Sequence, residues 1–243
     1  IIKKREAEGM ELLLDAESQI ETWQEVILVY NAALKQINTK LEILNDEFQH
    51  VHQYNPIEHI KSRIKTSESI VKKLRRHGYE STIENMVKYV NDIAGIRVIC
   101  SFTSDIYRIA EMIRLQNDIH VIAVKDYIRL PKASGYKSYH MLVTVPVFLS
   151  DRTVDVKVEI QIRTVAMDFW ASLEHKINYK FEGNAPEHVK RELIECAGMV
   201  SALDNRMQEL NEEIKALSKE DADGALVQLR RYPPGSGPRQ CQA

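Results

Sequence analysis

The sequence predicts an α+β fold, and three observations carry that prediction. Apolar residues recur at alternating steps of three and four near both ends of the chain. The middle is made of β-branched runs that change face at every residue. Finally, 243 residues, 44% apolar and 28% charged, suffice for one large core with helical additions.

The first periodic stretch runs from Ala16 through Ile20, Trp23, Ile27, Tyr30, Leu34, Ile37, Leu41, Leu44 and Phe48 to Val51, and reads as a long heptad helix. Asn55 and Pro56 end it, because proline disfavours helical geometry in the residue before it and suits the start of the next helix. That second helix is expected from Ile57 to His77, with Gly78 as its stop. Ser81 and Glu84 suggest a capping box for a short helix over 82–90. Four strands follow, at Ile96–Phe102, His120–Tyr127, Tyr139–Val147 and Val154–Ile162, with a helix near Asp105–Leu115 between the first two. The short polar segment Ser150–Thr153 predicts that the last two strands form an antiparallel hairpin. Helix returns after Thr164 to about Phe181, and again from Pro186 to near Ser218 with a second heptad pattern. The expected organisation is an N-terminal helical extension (1–55), a central domain (56–182), a C-terminal helix (183–220) and a flexible tail (221–243). Pro233, Pro234, Gly235, Ser236, Gly237 and Pro238 argue against regular structure in that tail.

Charge and cysteine content narrow the function classes. Lys plus Arg number 33 against 35 Asp plus Glu, a net charge of −2, so there is no global basic field for DNA or an anionic membrane. No apolar run approaches the roughly 20 residues of a spanning helix, and the first residues lack a signal-peptide core. Cys100, Cys196 and Cys241 are widely spaced and form no CxxC pair, which argues against a disulfide framework or a cysteine zinc site. A cytoplasmic protein without a membrane partner is expected. His50, His52 and His59 do not share one helical face, so a histidine zinc site is discounted as well.

Two segments hold the candidate chemistry. In the strand Val154–Arg163 the valines and isoleucines occupy one face, and Asp155, Lys157, Glu159, Gln161 and Arg163 form an unbroken polar row on the other. Such a row is either a solvated sheet face or the wall of a site. Within 61–76, seven bases face Glu68 alone, a net +6, which leaves −8 for the rest of the chain. A charge run is ordinarily a solvated helix face; the alternative is a site for a polyanion such as ATP, whose phosphates guanidinium groups grip in forks. Neither a Walker loop nor GxGxxG is present, so any nucleotide phosphates must meet side chains and a metal. The loop Lys132-Ala133-Ser134-Gly135-Tyr136-Lys137-Ser138-Tyr139-His140 offers cations, an imidazole and a phenol ring.

With Asn91-Asp92-Ile93-Ala94-Gly95-Ile96-Arg97, then Ser134-Gly135-Tyr136-Lys137-Ser138-Tyr139-His140, then Val158-Glu159-Ile160-Gln161-Ile162-Arg163-Thr164, the chain resembles the RelA/SpoT alarmone synthetases. The likeness continues through Met167, Phe169, Trp170, Glu174, His175 and Tyr179 and covers roughly 56–182. Short length and helical flanks are similar to the small synthetase branch. None of the eight histidines precedes an aspartate, so the HD motif of the family's hydrolase domain is missing and synthesis alone is expected.

The resemblance implies a nucleotidyltransferase-like mixed sheet and transfer of the β,γ-pyrophosphate of ATP to the 3'-hydroxyl of GDP or GTP, with Mg2+ as cofactor. By similarity Arg63 and Arg97 sandwich adenine, while Lys65, Lys73 and Arg76 meet the ATP phosphates. Asp92 holds Mg2+, joined there by Glu159, which is also the candidate base for the 3'-hydroxyl. Tyr136 stacks on guanine, Lys125, Lys132 and His140 line the acceptor phosphates, and Gln161 and Lys157 order the same cleft as Glu159. Asp168 stands where relatives often carry Asn near the guanine edge; a carboxylate accepts from both N1–H and the exocyclic amine. Lys125 is lysine where arginine is common. Small relatives commonly form homotetramers, and the heptad helices suggest self-association. Two other readings compete: a decayed RNA-binding or regulatory module, motivated by the basic segment alone, and a generic nucleotidyltransferase.

Overall fold

The computed structural model describes residues 17–52, 54–181 and 184–231, with side chains described for 23–51, 54–177, 180–181 and 184–217. In chain order the elements are α1 (Glu17–His52), β1 (Ile57–Ile64), α2 (Ser67–Arg76), α3 (Ile83–Tyr89), β2 (Ala94–Cys100), α4 (Thr103–Arg114), β3 (His120–Asp126), β4 (Tyr139–Phe148), β5 (Thr153–Thr164), α5 (Val165–Lys180) and α6 (Glu187–Arg231). The five strands form one mixed sheet in the order β1-β2-β5-β4-β3. Only β2 and β5 run parallel; the other neighbours are antiparallel. Leu149 N–H donating to Arg152 C=O at 2.8 Å closes the expected β4–β5 hairpin.

The sheet separates the core from the site. Val156, Val158, Ile160 and Ile162 of β5 are buried on one face together with Met141, Val143, Val145 and Val147 of β4. Helices α1 and α4 cover that face, through Tyr30, Ala33, Leu34, Ile37 and Leu41 and through Ile106, Ile109, Ala110 and Ile113. The three-four spacing of α1 therefore serves a sheet rather than a second helix of the same chain. Burial of this kind contributes about 25 cal/mol per Å2 of apolar surface, so α1 is part of the core it covers.

Four expectations need correction. Residues 57–64 are the edge strand β1, not the first turns of a helix, and the sheet has five strands. Ile57, Ile60 and Ile64 mimic helical spacing, but in the fold the backbone pairs antiparallel with β2, from Ile57 opposite Cys100 to Ile64 opposite Ala94. Pairing and half-burial outweigh local periodicity here. The basic segment is consequently split: Lys61 and Arg63 lie on β1, Lys65 follows it, and Lys73 and Arg76 ride on α2, which Thr66 caps by accepting from Ser69 N–H. The cap of α3 is Thr82, accepting from Asn85 N–H, rather than Ser81. Finally, the backbone of α6 continues to Arg231, past the end expected near Ser218; residues 232–243 of the expected tail and the Tyr179 side chain lie outside the described residues. Among the described residues, no helix is long and apolar enough to cross a membrane.

Candidate active site

Strand register builds the site across the open face of the sheet. Lys61 stands opposite Arg97, Arg97 beside Gln161, Gln161 opposite His140 and His140 opposite Lys125, giving one polar row over all five strands. Paired residues share a face. The adjoining row places Arg63, Gly95 and Glu159 side by side. A cavity of about 170 Å3 opens over these rows and is lined by Lys61, Ser62, Arg63, Asp92, Gly95, Ile96, Arg97, Glu159 and Gln161. Asp92 and Glu159, 67 positions apart in sequence, thus face the same space.

Asp92 occupies the turn before β2, where the main chain is pinned by Lys65 N–H donating to Ile93 C=O at 2.8 Å. Its two oxygens are taken separately: Oδ2 by Lys65 Nζ at 2.8 Å and Oδ1 by Lys73 Nζ at 2.7 Å. Burial acts to raise its pKa, but the hydrogen bonds and charges of the two lysines outweigh it, and the carboxyl titrates below its ordinary value. Lys157, on the polar face of β5, ties this turn down from outside the cavity. Its ammonium donates to Val87 C=O at 3.1 Å, Lys88 C=O at 2.9 Å and Asn91 Oδ1 at 3.3 Å.

Glu159 is oriented by neighbours on both sides. Gln161 Nε2 donates to Oε2 at 2.8 Å, and His140 Nδ1 lies 3.4 Å from Oε1. Burial again acts upward, the bonds from His140 and Gln161 act downward and prevail, and the nearby Asp92 charge opposes them. The result is a carboxylate held ionised at neutral pH.

The second half of the site centres on Arg163, whose side chain is only 5% exposed. Its guanidinium donates to Ser138 Oγ at 3.3 Å, Asp168 Oδ1 at 3.1 Å, Gln161 Oε1 at 2.9 Å and the Tyr136 hydroxyl at 2.6 Å. A donor on the Tyr136 oxygen leaves its own proton for His140 Nε2, 2.8 Å away, and so favours the Nδ1–H tautomer that faces Glu159. Lys132 Nζ sits 4.6 Å from the Tyr136 ring centroid and 4.8 Å from that of Tyr127. Asp168 Oδ1 also receives Arg97 Nη1 at 3.0 Å, joining the two halves. Burial and the Arg163 charge hold the Arg97 pKa below its ordinary value, and its Nε is buried without a partner.

Most sequence-chosen residues therefore meet. Arg63, Asp92, Arg97, Glu159 and Gln161 line the cavity, Lys65 and Lys73 grip Asp92, and Lys132, Tyr136, His140 and Asp168 form the adjoining network. Lys125 shares their row from the exposed edge strand β3. Arg76 is exposed in the last turn of α2 and does not line the cavity. Sequence reading left out Arg163 as a site residue, although strand alternation had put it on the face of Glu159 and Gln161. Lys61 also lies outside the expected set, and only its strand pairing opposite Arg97 brings it into the cavity lining.

Comparison with known proteins adds to this geometry. A family model described as the region found in RelA / SpoT proteins matches residues 62–184. Over 200 residues the chain is 46% identical to GTP pyrophosphokinase YwaC of Bacillus subtilis (strain 168), covering 82% of this chain and 95% of that protein. It is similar to the crystal structure of small alarmone synthetase 2 from Bacillus subtilis, with a TM-score of 0.72, 46% identity and coverage of 79% of this chain and 98% of that one. The structure of small alarmone synthetase 1 from the same organism, bound to its product pppGpp, matches with a TM-score of 0.74 and 36% identity over 80% of this chain and 98% of that one.

Proposed function

The chain belongs to the RelA/SpoT family, among its small alarmone synthetases, and from that premise we propose how its cleft makes ppGpp or pppGpp from ATP and GDP or GTP. The 3'-hydroxyl oxygen of the guanosine nucleotide attacks the β-phosphorus of ATP. The bond from that phosphorus to the α,β-bridging oxygen breaks, AMP leaves with the electron pair, and the hydroxyl proton passes to Glu159. The observation that carries this reading is that Asp92 and Glu159 line one cavity together with Arg63 and Arg97.

Each residue then has a task. Arg63 and Arg97, on neighbouring strands, take the adenine between them. Lys65 and Lys73 hold Asp92 before the nucleotide arrives and turn toward its phosphates afterwards. Glu159, with its oxygens aligned by Gln161 and His140, accepts the proton; a positioned base of this kind contributes about 10^2 to 10^4 in rate. Tyr136 offers its ring to guanine, with Lys125, Lys132 and His140 along the acceptor phosphates and Asp168 at the base edge.

The cleft also fits Mg2+. Among the described residues no three His, Cys, Asp or Glu side chains cluster into a cage, and this ion is usually held by one or two carboxylates plus substrate phosphates. Asp92 and Glu159 supply that hard-oxygen pair. When bound, the ion would polarise the phosphoryl oxygens and neutralise charge that develops on them.

Incubation with Mg2+, ATP and GDP tests the reaction. AMP and guanosine tetraphosphate in equal amounts are expected; release of inorganic pyrophosphate would point to nucleotidyl transfer, and absence of turnover to a decayed binding module. Self-association, with a homotetramer favoured, is a further part of the proposal, motivated by Leu203, Met207, Leu210 and Leu217, which repeat at heptad-like steps on α6 and are each more than a third exposed. A monomer mass by light scattering would refute it. The reading places the protein in the cytoplasm, with its nucleotide substrates.

A further inference from the structure

The loop that carries Tyr136 is supported from behind by a helix some sixty residues further along the chain. Gly135 has φ +86°, and a Cβ built on it would lie 2.5 Å from the Cβ of Ala197 on α6, far inside van der Waals contact. Loop and helix therefore meet at two small residues, and the glycine is required both by its backbone conformation and by the clearance. The next contacts follow the same helix face. Lys137 Nζ donates to Ser201 Oγ, and Thr164 Oγ1 donates to the buried Asp204 Oδ2 at 2.7 Å. Tyr136, Leu193 and Val200 pack against the small cluster of Trp170, Ala171 and Ala197, and Trp170 Nε1 donates to Leu193 C=O at 2.9 Å. Positions 193, 197, 201 and 204 are spaced by four, four and three, so they lie along one face of α6.

Every one of these contacts bears on the acceptor half of the cleft. Gly135, Tyr136 and Lys137 belong to its loop, and Thr164 directly follows Arg163. The donor half, made by β1, β2 and α2, contributes none of them. We propose that the Leu193–Asp204 face of α6 is a positioning ledge that sets where Tyr136 and Arg163 stand, and through them the affinity for the guanosine nucleotide, with ATP reached only through the Asp168 bridge from Arg163 to Arg97. The inference rests on the assignment of this loop to the acceptor.

The test is the split between two Michaelis constants. Ala197→Leu pushes side-chain bulk into the space under Gly135 and should raise the KM for GDP about tenfold or more, since a displacement near 1 Å in a positioned site costs up to about 10^2. The KM for ATP should stay within about twofold, because the ledge hydrogen bonds go to Lys137, Thr164 and Trp170 on the acceptor side. A reciprocal pair separates contact from general damage. Gly135→Ala should also raise the KM for GDP, and adding Ala197→Gly should recover part of it by removing the colliding methyl, while the strain of a positive φ persists. Equal changes in both Michaelis constants, an unchanged KM for GDP, or no recovery in the pair would overturn the ledge. Should Ala197→Leu fail to fold, as read by thermal melting, Ser201→Ala against Ser201→Thr gives the same reading, with only the alanine variant expected to raise the KM for GDP. Absence of turnover in the unmodified protein would fall on the proposed reaction; a missing split in an active protein falls on the ledge alone.

Discussion

The donor and acceptor halves of the cleft are held by different forces. On the donor side, cations do the holding: Lys65 and Lys73 clamp Asp92 at 2.8 and 2.7 Å, and Arg63 and Arg97 face the cavity from adjacent strands. All of these residues fall between positions 63 and 97. On the acceptor side a single buried guanidinium, Arg163, organises Tyr136, Gln161, Ser138 and Asp168, and a distant helix supports the loop. Asp168 bridges the halves through Arg97. A half built from charge on a rigid sheet can exchange its partners for phosphates without moving its backbone. A half built from packing and hydrogen bonds depends on where its loop is placed.

The largest effect is expected where the halves meet. Glu159→Gln keeps the shape and one acceptor oxygen but removes the base, so kcat should fall by about 10^2 to 10^4 while both nucleotides still bind. Single-turnover rates and nucleotide titrations check this, and a near-normal rate would remove Glu159 from that role. Next in size, Tyr136→Ala should raise the KM for GDP about tenfold and leave that for ATP nearly unchanged, because stacking on a base contributes about 1–3 kcal/mol. Equal losses for both substrates would dissolve the distinction between the halves. The donor side has its own remote support in Lys157, which fastens the turn bearing Asp92 to the strand bearing Glu159. Lys157→Met should weaken ATP and raise the Mg2+ concentration needed for half-maximal rate by several-fold, with the KM for GDP unmoved. The opposite split would sink the proposed separation.

This difference also explains what the sequence disclosed. Alternation in β5 exposed the polar row directly, because a strand side chain has only two directions to choose from. The charge cluster at 61–76 points to the donor side although it is split between β1 and α2, since charge density does not depend on the period of the element that carries it. Strand β1 was hidden because Ile57, Ile60 and Ile64 carry helical spacing, and only the partner strand, some 35 residues away, decides the matter. The ledge was hidden for another reason. The heptad pattern in α6 marks Leu203, Met207 and Leu210, which are exposed, whereas beyond Leu193 and Val200 the inward residues are Ala197, Ser201, Asp204 and Asn211. Small and polar inward residues leave no hydrophobic signature.

The smallest expected effect sharpens the comparison through pH. Asp92 and Glu159 have lowered pKa values in the fold, so their contribution to stability is present above the ordinary carboxylate range and lost as pH falls through their lower folded values. Asp204 behaves oppositely. Burial raises its pKa, with the Thr164 hydrogen bond and the Lys137 charge only partly offsetting it. The fold therefore favours its protonated form, and stability is lost as pH rises from its ordinary 3.8 through the higher folded value. Asp204→Asn retains an acceptor for the Thr164 hydroxyl and removes the buried charge. At neutral pH it should raise Tm by about 2–4 °C for each ~1 kcal/mol gained, and the gain should vanish in melts below the ordinary aspartate range. A variant less stable than the parent at neutral pH would mean that the Asp204 charge stabilises the ledge through Lys137 by more than its burial costs.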